Sequence, residues 1–144
     1  MVWCRLWRDH VLGPFFFNGT INGEKYLSML QNDLIPQFHL LGDGRSTWFM
    51  QDGAPPHYAT IVCDWLHKNF ENWISRRGKV EWSPDLNPRD FYFWGDIKQI
   101  VYSTKIRDLD HLKSCIIDAC VQIDGDADLL NRVYRNLNFV LTRA

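Results

Sequence analysis

Two periodic patterns of hydrophobic and polar residues organise the 144-residue chain. Short apolar runs between turn residues predict β-strands, whereas apolar residues three or four positions apart predict amphipathic helices. We expect strands at residues 1–7, 11–17, 47–51, 73–75 and 80–82. We expect helices at residues 24–35, 56–70 and 88–102, and two more whose apolar stripes cover residues 109–123 and 130–141. Strands that alternate with helices in this way favour an α/β fold.

Turn and breaker residues mark the ends of several elements. Asn18-Gly19 is a strong hairpin or turn signal, and Asn22-Gly23 repeats it. Pro36 is expected to stop the first helix, because proline lacks the backbone N–H that a helix interior uses. The first helix should therefore end close to this residue.

The composition is that of a globular domain, since 46% of the residues are hydrophobic and 15% are aromatic. No linker rich in Pro, Gly or Ser divides the chain, so we expect one domain. No apolar run is long enough to span a bilayer, and the N-terminus lacks the layout of a signal peptide. These features predict a soluble intracellular protein with no membrane partner.

Charge and cysteine content narrow the function classes only in part. The formal net charge of −1 does not indicate a nucleic-acid binder, so any contact with a polyanion would have to be local. One local basic cluster comprises Arg76, Arg77 and Lys79. The four cysteines form no C-x-x-C pair and match no zinc spacing. Cys63 and His67 are four residues apart, but two ligands do not close a metal site, which favours core packing.

Residues 48–57 begin as an apolar strand that stops abruptly at Asp52-Gly53. The following Pro55-Pro56 pair ends sheet pairing and can open a helix. Asp52 is therefore expected at the carboxyl end of a buried strand, which is where open α/β sheets bind ligands. The alternative is a simple turn, because Asp-Gly is favoured in turns for conformational reasons alone.

A second carboxylate, Asp90, opens the helix predicted at residues 88–102. Asn87 suits the N-cap and Pro88 the first helical position, so Asp90 could simply help to cap the first turn. Alternatively, the helix dipole keeps Asp90 ionised, and it joins Asp52 in a carboxylate pair that suits Mg²⁺ or Mn²⁺. Two-metal phosphodiester cleavage is the chemistry that matches such a site.

Two motifs, taken together and in this order, resemble the catalytic domain of mariner-type (DDE/D) transposases. They are Gln-Asp-Gly-Ala-Pro-Pro-His at residues 51–57 and Ser-Pro-Asp-Leu-Asn-Pro at residues 83–88, which residues 90–95 continue. Residues 1–4 and 13–27 are similar to upstream strands and a helix of the same domain. The resemblance covers most of the chain. It identifies residues 1–144 as a partial catalytic domain, truncated at its N-terminus, with residues 108–144 as a C-terminal helical extension.

The resemblance implies a ribonuclease H-like fold, in which three acidic residues bind two divalent metal ions, Mg²⁺ or Mn²⁺. Such enzymes, which act in the nucleus, cut DNA at transposon ends and join the freed 3′ ends to target DNA. Carried over by position, Asp52 matches the second acidic residue and Asp90 the third, so both are assigned as catalytic and metal-binding residues. A homodimer is a possible assembly of the intact enzyme.

The remaining motif residues receive other roles by the same resemblance. Asp85, Asn87 and Pro88 are interpreted as structural residues of the loop and the helix entry. His57 either approaches a DNA phosphate or caps the turn. The full set assigned to DNA binding is His57, Arg76, Arg77 and Lys79.

Three departures from the family pattern predict that the chain alone is inactive. The strand carrying the first acidic residue would lie upstream of Met1, and Asp9 is a poor substitute for it. The paired helix-turn-helix region of the family is also absent. Trp82 runs directly into Ser83, where relatives place a few residues, and a catalytic carboxylate tolerates little displacement.

Three functional hypotheses follow from these observations. The first is a fragment of a transposase catalytic domain whose ancestral reaction is Mg²⁺-dependent DNA strand cleavage and transfer. The second is a non-enzymatic transposon remnant that serves as an interaction module or has no function. The third is a self-contained nuclease, which would need a further acidic residue from among Asp64, Glu71 and Asp96.

Overall fold

The computed structural model describes residues 1–7, 10–42, 48–81, 88–124, 126–129 and 131. These residues form a mixed α/β architecture with two small sheets. In chain order the elements are β1 (Val2–Trp7), β2 (His10–Phe16), α1 (Gly23–Met29), a π-helical segment (Leu30–Leu34), α2 (Ile35–Leu40), β3 (Phe49–Met50), a 3₁₀ turn (Pro55–Tyr58), α3 (Thr60–Asn69), β4 (Trp73–Ser75), β5 (Val80–Glu81), α4 (Pro88–Tyr102) and α5 (Leu109–Asp124).

The chain divides into two compact units, and each is described by itself. The first comprises Met1–Val2 and Phe15–Pro84. The second comprises Trp3–Pro14 and Asp85–Ala144. Asp52 therefore belongs to the first unit and Asp90 to the second.

β1 and β2 form a two-stranded sheet. Met1 and Phe17 exchange two backbone hydrogen bonds, of 2.8 and 3.2 Å, as opposed residues of antiparallel neighbours do. Asn18-Gly19 follows β2 as a turn, in which Gly19 adopts a φ of +71°. This turn leads towards α1 and not into a hairpin.

Asn22 begins a helix, so the prediction of a second turn at Asn22-Gly23 is wrong. The side chain of Asn22 accepts a 2.9 Å hydrogen bond from the backbone N–H of Lys25, which makes it the N-cap of α1. Gly23 fits here for a different reason: a Cβ on this residue would lie 2.5 Å from the Cβ of Ala59. The glycine thus allows α1 to approach the start of α3 closely.

Pro36 does not stop the first helix, contrary to the prediction from the sequence. α1, the π-helical segment and α2 follow one another without a break from Gly23 to Leu40. The N–H of Ile35 donates to the carbonyl of Leu30, five residues earlier, and Pro36 falls in the first turn of α2. Pro36 thus lies inside a continuous helical stretch, directly after the wider π-helical turn, and such local irregularities are typical of helices that contain a proline.

The buried stripe of this helical stretch also differs from the predicted one. The apolar spacing predicts a stripe through Leu27, Leu30 and Leu34. Leu30 and Leu34 are buried as predicted, but Leu27 is only half-buried. The residues that are buried at intervals of four are Tyr26, Leu30, Leu34 and Phe38.

The helix predicted at residues 56–70 begins later than expected. Pro55–Tyr58 form a 3₁₀ turn, and α3 runs only from Thr60 to Asn69. Ala59 between them has an extended backbone, with ψ at 140°, which separates the turn from the helix. The apolar spacing predicts that Val62 and Leu66 face inward, and both residues are buried.

A three-stranded parallel sheet has the order β3-β4-β5. Phe49 pairs with Trp73, and Ile74 pairs with Val80. β3 is limited to two residues, so the predicted strand over residues 47–51 is too long, and Thr47 lies outside the described residues. β4 confirms the strand predicted at residues 73–75.

The link between β4 and β5 has only four residues, although the two strands are parallel. Gly78 makes this possible, since a Cβ there would lie 2.7 Å from the backbone N of Ser75 and 2.9 Å from the carbonyl O of Trp73. Its own N–H donates to the carbonyl of Ser75 at 3.0 Å. The chain therefore folds back against the backbone of β4 before β5 begins.

The core of the first unit is largely aromatic. Phe70 is its centre, with ring centroids 4.7 Å from Phe49, 6.0 Å from Trp65 and 6.2 Å from Phe38. Such tilted and edge-on pairs add a favourable electrostatic component to the burial of apolar surface. These contacts join α2, β3 and α3 into one core.

The core of the second unit is formed by α4, α5, Leu6 of β1 and Leu129, which lies after the end of α5. Both predicted helices are present, and the described apolar side chains of α4 that are spaced three or four positions apart are buried or half-buried. Leu109, the first residue of the stripe predicted for α5, is exposed. The buried residues of this cluster are Leu6, Phe93, Ile97, Val101, Ala119, Cys120, Ile123 and Leu129. The last helix predicted, with its stripe over residues 130–141, falls almost entirely outside the described residues.

Within the described part of the chain, none of the helices combines the length and the apolar character needed to cross a membrane.

Candidate functional site

Asp52 lies two residues after the end of β3, and its side chain forms a turn. Its Oδ1 accepts a 2.9 Å hydrogen bond from the backbone N–H of Ala54, two residues further on. This is the bond by which aspartate initiates turns. The two interpretations of Asp52 from the sequence are therefore compatible, because the residue ends a strand and also builds the turn that follows.

The same oxygen of Asp52 also bonds to His57. Nδ1 of His57 lies 2.5 Å from Oδ1 of Asp52, and because an ionised carboxylate only accepts hydrogen bonds, Nδ1 is the donor. The His57 side chain is 14% exposed and that of Asp52 is 36% exposed. His57 is thus directed at a carboxylate in this structure.

These donors keep Asp52 ionised. The hydrogen bond from His57 lowers the pKa of Asp52 below its ordinary value, and the Ala54 N–H acts in the same direction. Partial burial opposes this shift but does not outweigh it. Asp52 therefore presents a negative charge at neutral pH, as a metal ligand must.

Gln51, which precedes Asp52, forms a buried network of hydrogen bonds next to the turn. The sequence analysis did not predict this network. Gln51 accepts a hydrogen bond from the Tyr26 hydroxyl at 3.1 Å and donates to the Ser75 hydroxyl at the same distance. It also donates to the backbone carbonyl of His57 at 2.5 Å. A glutamine at the end of an apolar strand was the available signal, because a buried amide requires several partners.

The ring of His57 is held from a second side. Its centroid lies 4.3 Å from that of Tyr26, with the rings inclined by 36°. Tyr26 is fully buried, so it forms a fixed surface beneath the histidine. The carboxylate, the backbone carbonyl and this aromatic contact together restrict the orientation of His57.

The basic turn after β4 packs on Tyr58, the last residue of the 3₁₀ turn. The guanidinium carbons of Arg76 and Arg77 lie 5.1 and 5.5 Å from the centre of the Tyr58 ring. Arg77 also donates to the carbonyl of Tyr58 at 3.5 Å. Cation–π contacts of this kind hold two flexible cations over one ring.

Lys79 does not share this arrangement with the two arginines. Its ammonium group donates to the backbone carbonyl of Glu71, close to the end of α3. Of the basic residues assigned to DNA binding, Arg76 and Arg77 are thus brought together at Tyr58, while Lys79 has a local partner.

The second acidic motif can be compared with the structure only in part. Pro88 is the first residue of α4, as predicted, and Asp90 lies in the first turn of that helix. The side chain of Asp90 lies outside the described residues, as do Asp85 and Asn87 entirely. A metal site shared by Asp52 and Asp90 therefore stays a prediction.

Asp52 is a candidate ligand for a hard cation, but the described side chains around it do not supply a complete metal site. Among those residues, no three His, Cys, Asp or Glu side chains come close enough together to hold a metal ion. Asp52 fits the chemistry of Mg²⁺ by its charge and oxygen donors. The described residues thus match only part of a two-metal site.

Cys63 and His67 on α3 differ in burial: Cys63 is half-buried, whereas His67 is exposed, so the prediction of core packing is wrong for His67. Burial is the main cause that raises the pKa of the Cys63 thiol, which disfavours the thiolate that metals bind. The ring of His67 meets Trp73 edge to face, with centroids 5.8 Å apart.

No protein-family model matches this chain, and a comparison with curated proteins gives no match either.

Proposed function

We propose that this chain is a fragment of a DNA transposase catalytic domain of the mariner type. The ancestral reaction is Mg²⁺-dependent DNA strand cleavage and strand transfer at transposon ends, on a ribonuclease H-like fold. The observation that carries the proposal is the ionised Asp52 at the carboxyl end of a strand in a parallel sheet. The two sequence motifs and this placement support the same chemistry independently.

The position of the basic turn also supports this function. β3 and β4 are parallel, so the residues that follow them emerge at the same edge of the sheet. Asp52 follows β3, and Arg76 and Arg77 follow β4. A carboxylate for a metal ion and two guanidinium groups for phosphates suit a phosphodiester substrate.

In the intact family, the bound metal ions would activate the attacking hydroxyl and stabilise the leaving oxygen of the phosphodiester. Asp52 would contribute one carboxylate to that site. His57, held against Asp52, would keep the carboxylate ionised and correctly oriented, which is a supporting role for a metal ligand.

The chain alone is expected to be inactive, because it matches only two of the three acidic positions of the family. A strand-transfer assay with terminal inverted repeats, Mg²⁺ and the purified chain should show no product above the level of the Asp52→Asn variant. Robust transfer that Asp52→Asn abolishes would contradict this expectation, and so would transfer that depends on Asp64, Glu71 or Asp96.

A second function, a non-enzymatic transposon remnant, is favoured by one specific observation. One oxygen of Asp52 already has two protein donors, so the carboxylate has a structural role that requires no metal. In this case the turn would persist because it stabilises the fold, and not because it binds a metal.

A Mg²⁺ titration separates the two functions. If Asp52 belongs to a metal site, millimolar Mg²⁺ should raise the melting temperature of the parent chain by a few degrees and leave Asp52→Asn unchanged. Equal responses of the two proteins, or no response of either, would favour the remnant. Asp33→Asn is the matched control, because Asp33 is exposed and lies outside the proposed site.

A further inference from the structure

Two cysteines that are far apart in the sequence face each other in the second unit. Sγ of Cys4 on β1 lies 3.8 Å from Sγ of Cys120 on α5, although 116 positions separate the two residues. Both are free thiols in this structure. The sequence spacing does not predict this pair, because the two cysteines come close only in the tertiary fold.

The surroundings of the two thiols are largely apolar. Cys120 is only 3% exposed and belongs to the buried cluster that includes Leu6 and Ile123. Cys4 is half-buried and packs against the same cluster. A small neutral molecule can therefore reach the pair from the side of Cys4 more readily than a large or charged one.

The two thiols share a hydrogen bond that makes them unequal. That bond and burial raise the pKa of Cys4 far above its ordinary value. The same hydrogen bond lowers the pKa of Cys120, since the Cys4 S–H stabilises a thiolate at its partner, while burial and Asp124 act in the opposite direction. Of the two groups, Cys120 is thus the one that more readily becomes the nucleophile.

We propose that Cys4 and Cys120 form a site of reversible oxidation, at which a hydroperoxide converts the two thiols into an intramolecular disulfide. The proposal is independent of the transposase function.

The reaction balances with hydrogen peroxide as the oxidant. The Cys120 thiolate attacks one peroxide oxygen, the O–O bond breaks, and a sulfenic acid and hydroxide form. The Cys4 sulfur then attacks the sulfenic sulfur, the S–S bond forms, and a second hydroxide leaves. Two thiols and one peroxide thus give one disulfide and two waters, because the two thiol protons neutralise the two hydroxides.

The geometry requires only a small movement. A disulfide has a sulfur–sulfur distance of about 2.05 Å, so the two Sγ atoms must approach by less than about 2 Å. α5 is already held near the first sheet, since Asp124 accepts a 2.6 Å hydrogen bond from the backbone N–H of Val11 on β2. Side-chain rotation, rather than separation of the elements, can close the remaining distance.

The test uses the full chain with Cys63 and Cys115 replaced by serine, which leaves one possible intramolecular pair. After treatment with a small excess of hydrogen peroxide, the intact mass should fall by two hydrogens. A non-reduced tryptic digest should contain a cross-link between residues 1–5 and residues 114–132. The oxidised form should melt about 5 °C or more above the reduced form, and dithiothreitol should reverse both changes.

Two controls make the result specific. In the same background, Cys4→Ser should give no cross-link and should accumulate a sulfenic acid at Cys120 that dimedone traps. The test protein, with Cys63 and Cys115 replaced by serine, should form the cross-link at least tenfold more slowly when it is unfolded in urea, because the native structure brings the two thiols together. Unchanged thiol content in the folded chain after peroxide treatment, or an equal rate in urea, would overturn the proposal.

Discussion

One carboxylate oxygen of Asp52 accepts two hydrogen bonds, one from the peptide N–H of Ala54 and one from His57. The residue therefore combines a structural role with a possible functional one. Any ion that binds Asp52 must either use its second oxygen or compete with these donors. The strength of these two hydrogen bonds consequently determines how readily the carboxylate can bind an ion.

The lowered pKa of Asp52 predicts a pH-dependent contribution to stability. A carboxyl group whose pKa is lower in the folded state stabilises the fold above its unfolded pKa of about 3.8, and this stabilisation is lost as the pH falls through the folded-state value. Asp52→Asn should therefore lower the free energy of unfolding by about 1 kcal/mol at pH 7. The effect is modest because solvent screens the partly exposed carboxylate. The difference from the parent should shrink below about pH 4.

Urea unfolding, followed by tryptophan fluorescence at pH 7 and pH 3, measures this difference. Asp64→Asn should change stability little at either pH, because Asp64 is exposed. A loss for Asp52→Asn that is the same at both pH values would show that the carboxylate charge is not responsible.

Residues that support Asp52 were harder to predict than Asp52 itself. Asp-Gly after an apolar run is a local signal, and it was readable from the sequence. Tyr26, Gln51 and Ser75 meet because three separate elements come together, and nothing in their local spacing connects them. Side-chain networks of this kind depend on the tertiary fold, which residue types alone do not specify.

At the scale of secondary-structure elements, the link between β4 and β5 depends on a single glycine. Gly78→Ala would place a Cβ within 2.7 to 3.0 Å of three backbone atoms, and backbone cannot move aside as a flexible side chain can. We expect this substitution to destabilise the chain by about 1–3 kcal/mol. It should also disturb the neighbouring arginines that pack on Tyr58.

Gly95 in α4 provides the matched control for this prediction. It is exposed, and a Cβ there would meet no atom within 4 Å. Gly95→Ala should therefore stabilise the chain by up to about 1 kcal/mol, because alanine favours a helix interior over glycine. Thermal unfolding of both variants gives the comparison, and a similar response to the two substitutions would contradict the assigned role of Gly78.

At the scale of the whole molecule, apolar periodicity predicted α4 and α5 well. Both helices have one strongly buried face, and side chains such as Ile97 and Ile123 follow the helical period closely. The α/β class was predictable for a related reason, since short apolar runs alternate with such helices. The finer assignment to a ribonuclease H-like fold remains a proposal.

Three of the boundaries that the sequence predicted wrongly involve proline or asparagine. Pro36 was interpreted as a stop and Pro56 as a helix start, whereas the first lies inside a helical stretch and the second in a 3₁₀ turn. Asn22 was interpreted as a turn residue but caps a helix. Each of these residues fits several local conformations, and tertiary packing decides which one is adopted.

The π-helical segment changes the direction in which the side chains after it point around the helix axis. In a regular α-helix, residues four positions apart differ by about 40° in direction, so a stripe through Tyr26, Leu30, Leu34 and Phe38 would rotate by about 120° along its length. The wider turn at Leu30–Leu34 absorbs part of that rotation, and all four side chains stay buried. Removing one residue from this segment would restore regular geometry and place Phe38 eleven positions after Tyr26, only about 20° from its direction, so we expect Phe38 to stay on the buried face. The wider turn therefore accommodates one additional residue while both ends of the helical stretch keep the same buried face.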